Sequence, residues 1–575
     1  MQNNTIFKTL SLILTVMFLI ASVNGSPLLA QTAEVKTEAP AASASEPSAP
    51  AAKTAPAEQP VAEPAPAEQP VAEQPVAEQP AAPASEQPAS AEQPSQPVAA
   101  EPPAVSEPAV STPAPQPVPV HQIAGPSTDE AIKSLIEQIK SGSAITEDKL
   151  ANGIKLIYRK NTSADIIVLK LSARAGSVYE TEKNNGISCL LFDLIKKGNA
   201  KMKAEDIARS VEQTGAIFKT DVSKNMGSIT LVSTVKAFEK NFDILAECVL
   251  TSNFPPAEVE KEKQFLVGAL KAENDKMDAA CAKLFYKTMF AGHPYALHHY
   301  GSVESVPKIN RNDIVKWHKN IFVPDNMTFV TVGNVEYDFV KQAVEKRFGA
   351  MKPAPAALKI FEEANKKIAE GVKPFTAPRE AKEIKDKAQA FIYYGFVTDG
   401  VESKDYGALK MLSTVLGSGM SSRLFHNLRD KESLAYQVTA YYQTLRGNSA
   451  LISLMGTQPQ KYDQAVAGLK REIEDFKNEL ITEEEYSRAK NKLVGNYALQ
   501  RNTMEDQAEF LSLWEGLGLG AKFEDEYLQN VLSPTREDIQ RVARKYFDQN
   551  KFVLSVIYPE PKENKTDAPA KKSTK

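Results

Sequence analysis

At 575 residues the chain is too long for one ordinary domain, and length alone points to about three to four. The formal net charge of −4 is unevenly placed: residues 32–125 hold twelve Glu against two Lys, and residues 561–575 hold five Lys against two acids, so the remaining body is nearly neutral. A near-neutral body has no clustered basic face, which excludes a nucleic-acid footprint, and three cysteines (Cys189, Cys248 and Cys281) are too few for a disulfide scaffold.

Residues 1–31 read as a secretory signal. Lys8 precedes the apolar run Leu10–Val23, and small residues follow at Gly25, Ser26 and Ala30. The run falls short of the about 20 residues a membrane span needs. No cysteine stands near the cleavage region, which excludes a lipoprotein anchor. The expected location is the periplasm, with a membrane attachment only if the signal stays uncleaved. Residues 32–125 repeat short Pro-Ala-Glu-Gln units. Proline every few residues blocks helix and sheet, and large apolar side chains are scarce, so an extended disordered spacer is expected. Residues 561–575 read as a basic disordered tail.

Folding is expected from about residue 126. Asp129–Lys140 places Ile132, Leu135, Ile136 and Ile139 on one helical face. Asn152-Gly153 is a turn between two strand-like runs, and Ile166–Ala173 is a β-branched strand. Helical patterns follow at 187–197 and 203–213, strands near 216–222 and 227–235, and a helix over 237–251. His293, His298 and His299 are expected on a surface turn, without acidic partners in a metal-binding pattern.

The later chain repeats this plan. Phe254-Pro-Pro-Ala-Glu258 opens a helix running through Leu266-Val-Gly-Ala269, and Ile481-Thr-Glu-Glu-Glu485 opens one running through Leu493-Val-Gly-Asn496, 227 residues later in each case. Asp313, Ile314 and Phe322 match Asp538, Ile539 and Phe547 at an offset of 225. A near-constant offset over separated anchors indicates two similar α+β halves, roughly 143–350 and 385–560, the first within an N-terminal domain expected over 126–350 and the second forming the C-terminal domain 385–560. The intervening 351–384, rich in Ala, Lys, Glu and Pro, reads as a surface linker.

Leu416–Val438 reads LGSGMSSRLFHNLRDKESLAYQV, a glycine turn followed by a helical pattern with Arg429 and Tyr436 seven apart. On their own these are a surface arginine near Asp430 and Glu432 and a half-buried strand tyrosine. The stretch closely resembles the C-terminal half of the pitrilysin/insulinase family of zinc peptidases, which includes the mitochondrial processing peptidase. Ala175-Gly-Ser-Val-Tyr-Glu180, Gly292-His-Pro-Tyr295 and Pro324–Asn334 extend the resemblance over about 143–560.

The resemblance implies two homologous α/β-sandwich domains packed as a clam-like half-shell. It implies that Arg429 and Tyr436 bind substrate and stabilise the transition state, and that the turn Gly417, Ser418, Gly419 and Met420 touches substrate. A fixed guanidinium suits a peptide carbonyl, and a phenol donates to an oxyanion. The family binds zinc through H-x-x-E-H and a distant glutamate. The matching positions here are Cys189, Phe192, Asp193 and Ala269, and none keeps the required side chain. No cofactor is therefore expected in this chain. Some family members divide the labour between two subunits, which implies zinc in a homologous partner and peptide substrates shared between them. The expectation is a non-catalytic subunit of an exported heterodimeric zinc peptidase. The alternative is a catalytically inactive binding or scaffold protein of the cell envelope.

Overall fold

The computed structural model describes residues 144–560, together with residues 130, 132–134, 136 and 137. The signal, the spacer and the basic tail lie outside the described residues, as does half of the expected helix 129–140. Its described residues are helical, and Ile132 and Ile136 pack against the core of the second half.

The fold is α+β, built on two sheets. The first contains β1 (Thr146–Lys149), β2 (Lys155–Lys160), β3 (Ile166–Arg174), β4 (Ile217–Val222), β5 (Met226–Thr234) and β6 (Met327–Gly333), in the order β1-β2-β6-β3-β5-β4. The second contains β7 (Arg379–Lys385), β8 (Ala390–Asp399), β9 (Gln437–Tyr442), β10 (Asn448–Thr457) and β11 (Val553–Pro559), in the order β7-β11-β8-β10-β9. β2 runs parallel to β6 and β7 parallel to β11, while the other neighbours are antiparallel. Apart from β1, the second sheet therefore reproduces the first strand for strand. β2 and β7 begin 224 residues apart, as do β3 and β8.

Local signals place the elements. Gly153 has φ 106 in the turn from β1 to β2, and a β-carbon there would come 2.4 Å from Asp325 Oδ1. Capping boxes, in which the cap side chain and the third helical residue bond each other's backbone N–H, open the equivalent helices at Asn310 with Asp313 and at Thr535 with Asp538. Thr482 and Glu485 open Glu483–Leu499 in the same way.

The halves exchange a helix. Met277–Met289, from the first half, packs on β8 and β11 of the second sheet. Cys281 Sγ lies 3.3 Å from the carbonyls of Phe391 and Ser555, and Phe285 packs on Tyr393 at 5.6 Å between ring centroids. Met504–Gly516, from the second half, packs on β3 and β6. Its Met504, Ala508 and Leu511 bury Ile157, Val168, Val330 and Val332, and Glu509 pairs with Lys170 at 2.6 Å.

The segment 351–384, expected as a surface linker, is largely structured. Pro355–Glu370 is a helix whose Phe361, Ala364 and Ile368 are buried in the first core, and Arg379–Lys385 is the edge strand β7. The spacing of those three residues presents one apolar face every turn, which the polar composition around them conceals. All three cysteines are free and buried.

Candidate functional site

In the first half, the helix Ile187–Leu194 carries the positions matched to a zinc motif. Glu180 secures its start: Oε1 accepts from Ser188 N at 2.9 Å, and Oε2 from Gly186 N at 2.8 Å and Asn185 Nδ2 at 2.9 Å. A buried carboxylate there satisfies helix donors that lack intrahelical partners.

Cys189 and Asp193 are one turn apart, and the thiol donates to Asp193 Oδ2 at 3.5 Å. Thr220 donates to Asp193 Oδ1 at 3.4 Å. Burial, reinforced by the charge of Glu262, pushes the Asp193 carboxyl up to about 6. Burial and Asp193 hold the Cys189 thiol well above its ordinary range, so it is neutral. Phe192, which the sequence resemblance matches to the catalytic glutamate, is 1% exposed. Its ring lies 5.5 Å from that of Phe322 and fills the space over Gly227.

Ala269 lies partly buried on the helix Pro256–Asp275. Glu262, two turns earlier on that helix, is paired with Lys197 at 3.4 Å. Zinc would require three deprotonated ligands and an open position. Among the described residues, no group of three or more His, Cys, Asp or Glu side chains is arranged to hold a metal ion.

The histidines expected on a surface turn sit differently. His293 is buried, accepts from Tyr295 N at 3.2 Å through Nδ1, and is pushed down to about 4 by burial. His298 Nε2 lies 3.3 Å from Glu273 Oε1, an acidic partner that sequence proximity could not supply. The turn packs in front of the helix Ile187–Leu194: a β-carbon at Gly186 would come 2.9 Å from the Tyr300 carbonyl.

In the second half, the helix Tyr406–Gly417 ends at the glycine turn. Gly417 lies so close to β9 that a β-carbon would fall 1.9 Å from Ala440 N. Gly419 takes φ 87, a conformation that glycine alone enters without strain. Met420 at the tip is 77% exposed.

Phe425–Lys431 then forms a π-helix, a form concentrated at functional sites. It carries Arg429, which is exposed and stacks its guanidinium on Phe425 at 4.5 Å. Arg429 makes no ion pair among the described residues, and nearby Glu432 is engaged by Arg471 at 2.5 Å. Ser433, at φ 52, turns the chain toward β9. Tyr436, immediately before β9, is 52% exposed. Its hydroxyl accepts from Gln458 Nε2 at 2.8 Å and keeps its own proton to donate.

The glycine turn, the π-helix and Tyr436 thus converge on β9, the edge strand of its sheet. Thr439 ties this strand to the turn, donating to the Gly417 carbonyl at 2.8 Å. Two functional candidates had no local sequence signal. Glu262 acts on Asp193 from another helix, and Lys492, on Glu483–Leu499, donates to the Ser418 carbonyl at 2.6 Å.

Known proteins match both halves. Residues 155–302 match the family model described as insulinase (peptidase family M16), and residues 308–493 match the peptidase M16 inactive domain. An uncharacterized zinc protease of Bacillus subtilis, YmxG, is 25% identical over 71% of this chain and 97% of its own length. A Helicobacter pylori protein named a non-peptidase homolog, YmxG, is 23% identical over 72% of this chain and 94% of its own. Among solved structures, a protease from Helicobacter pylori superposes with a TM-score of 0.65 at 21% identity, over 72% of this chain and all of that one. A peptidase M16 inactive domain from Pseudomonas fluorescens superposes with a TM-score of 0.65 at 18% identity, over 72% of this chain and 98% of that one.

Proposed function

This chain belongs to the M16, or insulinase, peptidase family, and we propose that it is the non-catalytic subunit of an exported heterodimeric zinc peptidase. The observation that carries the reading is an asymmetry between the halves. The positions for the metal and base hold a neutral thiol, a core phenylalanine, a carboxyl near neutrality and an alanine. The face holding Arg429 and Tyr436 remains open, with the guanidinium unpaired by any carboxylate among the described residues.

In this reading a homologous partner holds the zinc and its activated water. Arg429 binds a carbonyl or carboxylate of an extended peptide, and Tyr436 donates to the oxyanion that forms during attack. Residues Gly417 to Met420 line the same peptide. Export follows from the N-terminal signal, and the compartment is the periplasm, with a membrane attachment if that signal is retained.

The test is native co-purification followed by reconstitution. The chain is expected to capture a homologue with an intact H-x-x-E-H helix, and the pair is expected to hydrolyse peptides that neither subunit cleaves alone. The single chain is expected to purify without stoichiometric zinc. About one tightly bound zinc per chain, or peptidase activity from the chain alone, sinks the reading. A second reading, a catalytically inactive binding or scaffold protein, draws support from the relative named a non-peptidase homolog. Capture of an envelope protein with no zinc-bearing homologue present would favour it.

A further inference from the structure

Three successive carbonyls of the glycine turn are held by side chains from three places in the chain. Thr439 Oγ1, on β9, donates to Gly417 O at 2.8 Å. Lys492 Nζ donates to Ser418 O at 2.6 Å. Ser422 Oγ, just past the turn, donates to Gly419 O at 2.7 Å. While these carbonyls are engaged, the N–H groups of Gly419, Met420 and Ser421 form no hydrogen bond among the described residues.

Lys492 stands out among the three. It makes no ion pair among the described residues, although Glu485 lies on the same helix. That glutamate is taken by Arg423 in a two-pronged pair at 2.5 and 2.8 Å. Burial lowers the lysine's pKa, so placing the ammonium here carries a solvation cost. What it obtains in return is one backbone carbonyl, 74 residues away in sequence. The fit is mutual: a β-carbon at Gly419 would come 2.2 Å from Lys492 Nζ. Removing the glycine would displace the lysine, and removing the lysine would leave Ser418 O without its donor.

We propose that Lys492 is the positioning residue of the peptide-binding turn. It fixes residues Gly417 to Ser421 with the backbone N–H groups of Gly419, Met420 and Ser421 left free for the carbonyls of an extended peptide. The inference rests on the reading of this turn as a peptide-binding element. It goes further in assigning the clamp to a residue that does not itself touch the peptide.

The test uses the full chain and two readouts. The first is hydrogen exchange at the Ser418 and Ser422 amides, which bond Thr414 O and Gly419 O at 3.1 Å each. In Lys492→Met both are expected to exchange about tenfold faster, as a locally loosened turn requires. Lys492→Arg, which keeps a donor, is expected to restore slow exchange. Thr439→Val is expected to loosen the same turn from its other anchor.

The second readout is binding of fluorescein-labelled β-casein, an extended-chain probe. Lys492→Met is expected to weaken it about five- to tenfold, with Lys492→Arg close to wild type, since ordering a loose loop is paid at binding. Exchange in Lys492→Met within about twofold of wild type overturns the proposal. Faster exchange with unchanged casein binding also overturns it, provided Arg429→Ala still weakens the probe, and then the Arg429 reading survives. If neither variant alters casein binding, the peptide-binding reading of the whole face fails, and exchange alone decides whether Lys492 holds the turn.

Discussion

The ring of Phe192 occupies the space a β-carbon at Gly227 would need, coming within 2.4 Å of it. The first is the residue that the sequence resemblance matches to a catalytic base, and the other is the strand glycine that admits the ring. Phe192 is a core residue here, and its ring also meets Phe322.

Gly227→Ala is expected to destabilise the chain by about 1–3 kcal/mol, because the added methyl must displace a buried ring or a central strand. Phe192→Glu is expected to cost more, since it buries a carboxylate with no partner and leaves a cavity over Gly227. Denaturant melts of both variants check this. A Gly227→Ala midpoint equal to wild type would show that the ring moves aside freely.

Asp193 makes stability depend on pH. Its carboxyl is raised from 3.8 to about 6 by burial and by Glu262, with Lys196, Cys189 and Thr220 acting in the opposite direction. A carboxyl raised on folding binds its proton more tightly in the native state. Its contribution is therefore full below about pH 4 and is lost as pH rises through about 6. Asp193→Asn, which cannot ionise, is expected to be more stable than wild type by about 3 kcal/mol at pH 8 and equal to it near pH 4. Thermal melts across that range provide the measurement, and a difference independent of pH would contradict the assignment.

Arg429→Ala and Tyr436→Phe are expected to leave the fold intact, because both side chains are exposed and neither anchors the core. In the reconstituted pair each is expected to lower turnover, Tyr436→Phe by about 10²–10³ if the phenol donates to the oxyanion. Steady-state kinetics of the pair, beside melting curves of the single chain, separate the two effects. Wild-type turnover in both variants would make these residues ornamental to catalysis.

Much of this architecture is legible in the chain because its elements carry local signals. The β-branched run of β3, the Asn152-Gly153 turn and the Thr482–Glu485 box each announce an element, and the constant offsets announce the duplicated plan. What stays hidden depends on partners distant in sequence. β7 is an edge strand whose residues Glu380, Lys382 and Glu383 are polar, so alternation is weak. The π-helix at Phe425–Lys431 is defined by its hydrogen bonding, for which the sequence has no mark. Lys492 is one lysine in a helix of ordinary polar composition until Ser418 is brought to it. The resemblance places Arg429, but only the structure gives Glu432 to Arg471.

The exchanged helices lead to the last prediction, that neither half is a folding unit by itself. Cutting the chain between Ala377 and Pro378 keeps Pro355–Glu370 with the core that buries Phe361, Ala364 and Ile368, and keeps β7 with its sheet. The first fragment then lacks Met504–Gly516, uncovering Ile157, Val168, Val330 and Val332, all at most 1% exposed in the intact chain. The second lacks Met277–Met289, uncovering the side of β8 and β11 that includes Phe391, Tyr393, Val553 and Ile557. Each uncovered large apolar side chain forfeits about 1.5–3 kcal/mol of burial. Four on either side forfeit about 6–12 kcal/mol, as much as the whole net stability of an ordinary domain, about 5–15 kcal/mol. Each fragment alone is therefore expected to be aggregated or without a cooperative melt. Coexpressed, the two are expected to assemble and melt as one unit, because every exchanged contact is restored across the cut. A separate, cooperative transition from either fragment alone would show that its core stands without the borrowed helix, and the exchange would then be an embellishment of two independent domains.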